Sequence, residues 1–237
     1  MSNPFKEAFD VLAADPVEDW MEPRVVALVQ AIHRRYPKFQ IKYKDESRVW
    51  RMMPKNLRNA ATTTGKTVWY SSRKKAKRNQ KAFFRTLAHE SRHMSQYHST
   101  RWRFFTRYFF PQCTCGLFLV AALVLLLLGH GLWAAVVGGA GLLHLLPWPA
   151  PFRLRFEIDG YTMSMACQYW EHGRITEGMK RMTARVLCGW LYYKMVWSRR
   201  RADLCAWSMA TGFKIGILPP GSKDQFTEVR EIIERYR

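Results

Sequence analysis

The chain has 237 residues, of which 38 are Lys or Arg and 18 are Asp or Glu, so its formal net charge is +20 at pH 7. This length suits one sizeable domain, or a small domain with a membrane segment, and the positive charge predicts an acidic partner such as nucleic acid or anionic lipid. The five cysteines include no CxxC pair, which argues against a disulfide framework or a four-cysteine zinc site. Residues 1–16 have no apolar core, so we expect no secretory signal peptide.

The N-terminal half is predicted to combine helices with short strands. Apolar residues at helical spacing predict an amphipathic helix over residues 18–36, which is followed by Pro37. Three short runs have the alternation expected of strands in a small sheet: residues 39–43, 48–52 and 66–70. Residues 73–98 then predict one long helix, strongly basic in its first part and apolar along one face in its second.

The middle of the chain is strongly apolar. Residues 108–152 contain no Asp, Glu, Lys or Arg, which is typical of a membrane segment. Arginines flank the segment on both sides, and Gly129-His130-Gly131 offers a turn at its centre, so the sequence predicts a transmembrane hairpin. Helical limbs over residues 113–128 and 132–149 would be about 24 and 27 Å long, which is marginal for an apolar core about 30 Å thick. A re-entrant hairpin is the alternative.

The C-terminal part is predicted to be helical, with helices near residues 176–197 and 202–213 and a short charged helix at the end. The predicted fold class is therefore α+β: a mainly helical domain with a small sheet, plus a transmembrane helical hairpin. Three parts follow from this pattern, namely residues 1–107, the hairpin over 108–152, and the C-terminal part over 153–237.

A metal-binding motif lies within the predicted long helix. His89-Glu90-Ser91-Arg92-His93 has the form HExxH, and positions i and i+4 lie on one face of a helix, so both imidazoles can reach one ion. Catalytic zinc sites use neutral imidazole ligands and keep a position open for water, from which a neighbouring glutamate can take a proton. The motif predicts zinc bound by His89 and His93, with Glu90 as the general base. The alternative is two incidental surface histidines.

A catalytic zinc ion usually needs a third protein ligand. His130 and His144 lie inside the apolar segment, and His98 comes only five residues after His93. We therefore expect Glu157, the first acidic residue after the hairpin, to be the third ligand, with Asp159 as the alternative. An ordinary ion pair between Glu157 and a neighbouring arginine is the simpler interpretation.

The order of these features resembles that of the integral-membrane gluzincins, which include the CaaX-processing proteases and the bacterial heat-shock protease HtpX. The resemblance covers about residues 66–170 and implies a zincin-like fold and zinc-dependent peptidase activity. It implies that His89, His93 and Glu157 are the metal ligands and that Glu90 is the catalytic glutamate. The string HESRHMSQ is also similar to short zincin domains with an HExxHxxQ motif, in which Gln96 would support a ligand; a solvent-facing glutamine is the alternative.

These observations predict a membrane-anchored zinc metalloendopeptidase that hydrolyses membrane-proximal proteins. Its catalytic domain and both termini are expected on the cytoplasmic side of the bilayer. The alternative is an inactive or non-enzymatic basic protein that associates with membranes and binds anionic lipid or, less readily, nucleic acid, for example through the basic residues of 73–85.

Overall fold

The computed structural model describes residues 16–110, 113–144, 151–189 and 194–237, which form a mainly helical fold with one small sheet. The strands are β1 (Gln40–Tyr43), β2 (Thr62–Thr64) and β3 (Thr67–Tyr70). The helices before the apolar segment are α1 (Pro23–Arg35), α2 (Arg48–Met52), α3 (Lys55–Asn59), α4 (Arg73–Arg78), α5 (Gln80–Thr100) and α6 (Trp102–Phe109). Those that follow are α7 (Thr114–Leu127), α8 (Gly131–Leu143), α9 (Pro151–His172), α10 (Glu177–Leu187), α11 (Arg199–Lys214) and α12 (Lys223–Arg235).

The sheet has the strand order β1-β3-β2, so β2 lies at one edge. Strand β1 is parallel to β3, whereas β2 is antiparallel to it, with Thr63 opposite Val68. One face of the sheet is buried against α5, where Tyr43 and Val68 join the main hydrophobic core together with Phe83 and Leu87. The sheet and the helix that carries the HExxH motif are therefore packed directly against each other.

Two local predictions in this half are wrong. Residues 48–52 form helix α2 rather than a strand, because the Ser47 hydroxyl caps the helix by accepting a hydrogen bond from the Trp50 backbone N–H. The predicted single helix over 73–98 is two helices, α4 and α5, separated at Asn79. The side chain of Asn79 accepts a 2.9 Å hydrogen bond from the Ala82 backbone N–H and so begins a new helix.

The apolar segment forms a hairpin of two helices, α7 and α8, which pack against each other. The turn between them includes Gly129, whose φ of 80° is one that glycine adopts without steric cost. Many large apolar side chains of these two helices are exposed, including Leu117, Leu127 and Leu132. The segment is thus a helical hairpin with an apolar outer surface.

The prediction that this hairpin crosses a bilayer is wrong. Helices α7 and α8 have 14 and 13 residues, which corresponds to only about 20 Å each, against an apolar bilayer core about 30 Å thick. Within the described parts of the chain, no helix is both long enough and apolar enough to span a membrane. The structure therefore does not support the transmembrane part of the predicted fold. It likewise does not support the predicted integral-membrane location with cytoplasmic termini. Residues 145–150 of the second predicted limb lie outside the described residues.

The C-terminal helices bring the chain back to the HExxH helix. Helix α9 packs along α5, and α12 packs against both α1 and α9. A second core forms where α9 meets α10 and α11. The helix predicted over 176–197 ends at Leu187, and residues 190–193 lie outside the described residues. The long contact between α5 and α9 is the feature that builds the candidate site.

Candidate metal centre

Three potential metal ligands meet where α5 packs against α9. His89 and His93 lie one turn apart on the buried face of α5, and Glu157 faces them from α9; their exposed fractions are 8%, 5% and 2%. The two histidine Nε2 atoms are 3.1 Å apart, and the Oε2 atom of Glu157 lies 3.6 and 3.7 Å from them. This group could hold a metal ion. The sequence-predicted set of His89, His93 and Glu157 is thus brought together.

The close approach of α9 depends on a glycine. Gly160 follows Glu157 by three residues, so it lies on the same face of α9. A Cβ atom at Gly160 would lie 2.7 Å from both Cε1 and Nε2 of His89, well inside van der Waals contact. Because glycine has no side chain, the backbone of α9 can lie directly against the imidazole of His89.

Hydrogen bonds at the Nδ1 atoms orient both imidazoles. His89 Nδ1 lies 3.2 Å from the hydroxyl of Ser164, and His93 Nδ1 lies 3.0 Å from the Oε1 atom of Gln96. An amide oxygen can only accept, so Nδ1 of His93 carries a proton and its Nε2 atom is the one that faces the site. The Ser164 hydroxyl donates to the Gly160 carbonyl and can accept from His89. Both rings are therefore oriented with Nε2 toward the site, which is the atom through which each would bind a metal.

Glu157 is oriented by Tyr108 of α6. The Tyr108 hydroxyl donates a 2.5 Å hydrogen bond to Oε1 of Glu157, while Oε2 faces the histidines. The guanidinium of Arg153 lies over the Tyr108 ring, 4.5 Å from its centroid. Arg153 therefore packs against Tyr108, the residue that holds Glu157. The interpretation of Glu157 as one member of an ordinary ion pair with a neighbouring arginine did not include Tyr108.

The charges of this group are tightly coupled. Burial lowers the pKa of His93, but the adjacent Glu157 carboxylate more than compensates and raises it to about 9. Burial likewise raises the pKa of Glu157, but the charge of His93 and hydrogen bonds from both histidines hold it well below its usual range. Without a bound ion, Glu157 is thus a carboxylate beside a protonated His93. That proton must leave before His93 can bind a metal.

The carboxylate of Glu90 is held by the sheet. The Thr63 hydroxyl, on edge strand β2, donates a 2.6 Å hydrogen bond to Oε2 of Glu90. This contact leaves Oε1 of Glu90 available to accept a proton from a further donor. Thr63 was not a sequence-predicted site residue, and β2 itself was not predicted.

Asp159 and Gln96 support the site from outside the ligand group. Asp159 accepts a 2.8 Å hydrogen bond from Nε2 of Gln96 and lies 3.5 Å from NH2 of Arg92. It is not among the three residues that converge on one another, so Glu157 is favoured over Asp159 as a ligand. Gln96 is buried between Asp159 and His93 rather than facing solvent.

Two of the other histidines considered above, His98 and His144, lie in other surroundings. His98 stacks on Tyr36 with ring centroids 4.7 Å apart, and His144 of the hairpin stacks on Phe118 at 4.8 Å. The ring of Tyr161 packs edge-on against His89, with centroids 4.8 Å apart, and so limits where that imidazole can move.

Comparisons of this chain with protein-family models, with curated proteins and with solved structures give no match.

Proposed function

We propose that this protein is a zinc-dependent peptidase in which His89, His93 and Glu157 hold the ion and Glu90 is the general base. The observation that carries the proposal is the triangle of ligand atoms, with sides of 3.1, 3.6 and 3.7 Å. Zinc bonds of roughly 2.05 Å in tetrahedral geometry separate neighbouring ligand atoms by about 3.3 Å. A zinc ion therefore fits between these three atoms with small side-chain adjustments.

The donor set also fits zinc in chemical terms. Two imidazole nitrogens and one carboxylate oxygen are a common ligand combination of catalytic zinc sites, which leave a fourth position for water or substrate. The supporting contacts from Ser164, Gln96 and Tyr108 are of the kind that orient metal ligands. The resemblance of the HExxH helix and the following Glu-bearing helix to gluzincins supports the same assignment.

The side chains around the site suggest how hydrolysis would proceed. When bound, zinc would polarise the scissile carbonyl and lower the pKa of the attacking water. Glu90 accepts a proton from that water at Oε1 while Thr63 holds Oε2. The water oxygen adds to the carbonyl carbon, the C–N bond breaks, and Glu90 returns the proton to the leaving amine. Tyr108 keeps Glu157 directed at the two histidines throughout.

Hydrolysis of an unfolded protein by the purified chain tests this proposal. We expect release of dye-labelled peptides from casein in the presence of zinc, loss of release on treatment with a chelator, and recovery on addition of zinc. Cleavage that continues in excess chelator, or a zinc-loaded protein that leaves casein and unrelated peptide libraries intact, would contradict the proposal.

A second candidate is a binding role without turnover, at anionic lipid headgroups or nucleic acid. The observation that favours it is charge: Glu90 is the only acidic residue between Glu46 and Glu157, and the cations of α4 are largely exposed. Such a surface attracts phosphate-bearing partners in a salt-dependent way. A metal-free protein that sediments with anionic vesicles or shifts DNA would favour this candidate over the peptidase.

A further inference from the structure

The strand that positions Glu90 is held weakly by the sheet alone. Strand β2 has only three residues, lies at the sheet edge and pairs with β3 on one side. Short edge strands with one partner open more readily than central strands. Thr63 of this strand nevertheless makes the 2.6 Å hydrogen bond to Oε2 of Glu90. An additional contact that fixes β2 would therefore matter for the general base.

Lys44 supplies that contact from the opposite face of the sheet. It follows β1, and its side chain is completely buried, with an exposed fraction of 0%. Its Nζ atom donates to the Leu57 carbonyl at 2.7 Å, to the Ala60 carbonyl at 2.8 Å and to the Thr62 hydroxyl at 2.7 Å. These three acceptors match the three protons of a lysine ammonium group.

The surroundings of Lys44 connect it to both the strand and the site. The ring of Trp50 lies 3.9 Å from Nζ, an arrangement that stabilises a buried cation. Burial lowers the pKa of Lys44 to about 8, and the negative charge of Glu90 opposes that shift, so the two charged groups interact. Lys44 is therefore mainly protonated at neutral pH, and it ties α3 and the first residue of β2 to the end of β1.

Side-chain alternation along β2 connects Lys44 on one face of the sheet to Glu90 on the other. Successive residues of a strand face opposite sides of the sheet, so Thr62 faces Lys44 while Thr63 faces α5. The hydrogen bonds of the two threonines agree with this alternation. Because Thr62 and Thr63 are adjacent in one strand, the hydrogen bond that fixes Thr62 on the outer face also determines where the hydroxyl of Thr63 lies on the inner face.

We propose that Lys44, Thr62 and Thr63 form a positioning arm for Glu90, in which the Thr63 hydroxyl fixes the Oε2 atom and Oε1 remains to accept the proton of the attacking water. Thr63 is the residue that contacts the general base, and Lys44 acts through Thr62. This inference rests on the proposed peptidase function, since it assigns how the general base of that reaction is oriented.

A mutant cycle tests the arm. Thr63→Val removes the hydroxyl but keeps the branched shape, and Thr63→Ser keeps the hydroxyl as the matched control. Lys44→Met removes the ammonium group, and Thr62→Val, a milder change, cuts only its link to β2. For each variant, and for the double variants that combine Thr63→Val with Lys44→Met or with Thr62→Val, kcat and KM on labelled casein, zinc affinity by chelator competition, and the melting temperature would be measured.

We expect Thr63→Val to lower kcat about tenfold or more, a part of the 100- to 10,000-fold that general acid–base catalysis typically supplies. KM and zinc affinity should stay within about twofold, and Thr63→Ser should retain most of kcat. Thr62→Val and Lys44→Met should also lower kcat, but neither should add to the loss already caused by Thr63→Val, because residues in one chain of contacts are non-additive. Additive effects of Lys44 and Thr63, or wild-type kcat in Thr63→Val, would overturn the proposal.

A readout without turnover separates this inference from the proposed function. Acetohydroxamate binding to the cobalt-substituted protein would be followed by visible absorption, since a hydroxamate chelates the metal and donates a proton to a neighbouring carboxylate. Thr63→Val should weaken that binding about fivefold, the loss of one hydrogen bond. Cobalt bands with unchanged hydroxamate affinity would refute the arm alone, whereas the absence of cobalt bands from the wild-type protein would refute the metal site and the arm together.

Discussion

Replacing Gly160 by alanine tests the close contact between α9 and the HExxH helix. The new Cβ atom would lie 2.7 Å from two ring atoms of His89, so the ring or the helix must move. A small shift of the ring in place cannot relieve this overlap, because Ser164 contacts its Nδ1 atom and the Tyr161 ring packs edge-on against it. We therefore expect the imidazole to leave its metal-binding position in the metal-free protein.

The size of the effect follows from where the strain appears. Overpacking of a well-packed site typically costs about 1–3 kcal/mol, whereas alanine in place of glycine within a helix stabilises it by about 1 kcal/mol. If His89 moves aside, the metal-free protein avoids much of the strain, and its stability changes little. Zinc binding must restore the ring to its strained position, so zinc affinity should fall by about 1–3 kcal/mol, or roughly five- to 150-fold.

Competition with a chromophoric chelator would measure zinc affinity, and thermal unfolding without zinc would measure stability. Gly212→Ala in α11 is the matched control, because a Cβ atom there would meet only Ile217, at an ordinary 3.8 Å. Gly212→Ala should leave zinc affinity unchanged. Wild-type zinc affinity in Gly160→Ala would refute the claim that His89 and α9 form the metal site in this geometry.

Three further results are expected. Glu90→Gln should keep zinc but lose hydrolysis by about 100-fold or more, because an amide cannot accept the water's proton; near wild-type rates would exclude Glu90 as the base. In chelator competition, Glu157→Gln should weaken zinc binding by more than about 100-fold, and Asp159→Asn by about tenfold, as for groups that only support a ligand; the reverse ranking would make Asp159 the ligand. Because the pKa of His93 is raised to about 9 in the metal-free protein, zinc affinity should rise about tenfold per pH unit from pH 7 to 9. Calorimetry in buffers of different ionisation heat should detect the released proton, and a flat pH dependence would contradict the coupling of His93 to Glu157.

The part of the site that depends on local spacing could be predicted from the sequence. His89 and His93 are four residues apart on one helix, so their shared face follows from helix geometry alone. Glu157 was predicted from its place in the chain order and from family resemblance. Its meeting with the histidines is a tertiary contact that the sequence pattern could suggest but not specify.

The residues that hold the candidate ligands in place were largely missed, because they come from distant elements. Thr63 lies on an unpredicted three-residue strand, and Tyr108 lies at the start of the apolar segment, where nothing in the local pattern indicates a contact with Glu157. The positions of Gly160 and Ser164 near the site could have been predicted from the sequence. They lie three and seven residues after Glu157 and so share its face of a helix. Extending the helical face from Glu157 would have found both.

The incorrect predictions came from patterns that do not determine where a helix or strand ends. An uncharged apolar run predicts an apolar surface, but it does not predict how long its helices are. The two helices that the structure describes in this run are shorter than the limbs predicted over 113–128 and 132–149. Alternation over the five residues 48–52 cannot separate a strand from a short helix, and the Ser47 cap decides for the helix. Asn79 interrupts the long basic helix by the same mechanism.

X-ray absorption at the zinc edge of the purified protein tests the central claim most directly. The metal site predicts one zinc ion per chain, with two imidazole ligands and oxygen at the remaining positions, at roughly 2.0–2.2 Å. Replacement of His93 by alanine should remove that signal. A sulfur ligand at about 2.3 Å would place zinc on the cysteines instead, and a protein that retains no zinc at pH 8 would contradict the assignment of His89, His93 and Glu157 as its ligands.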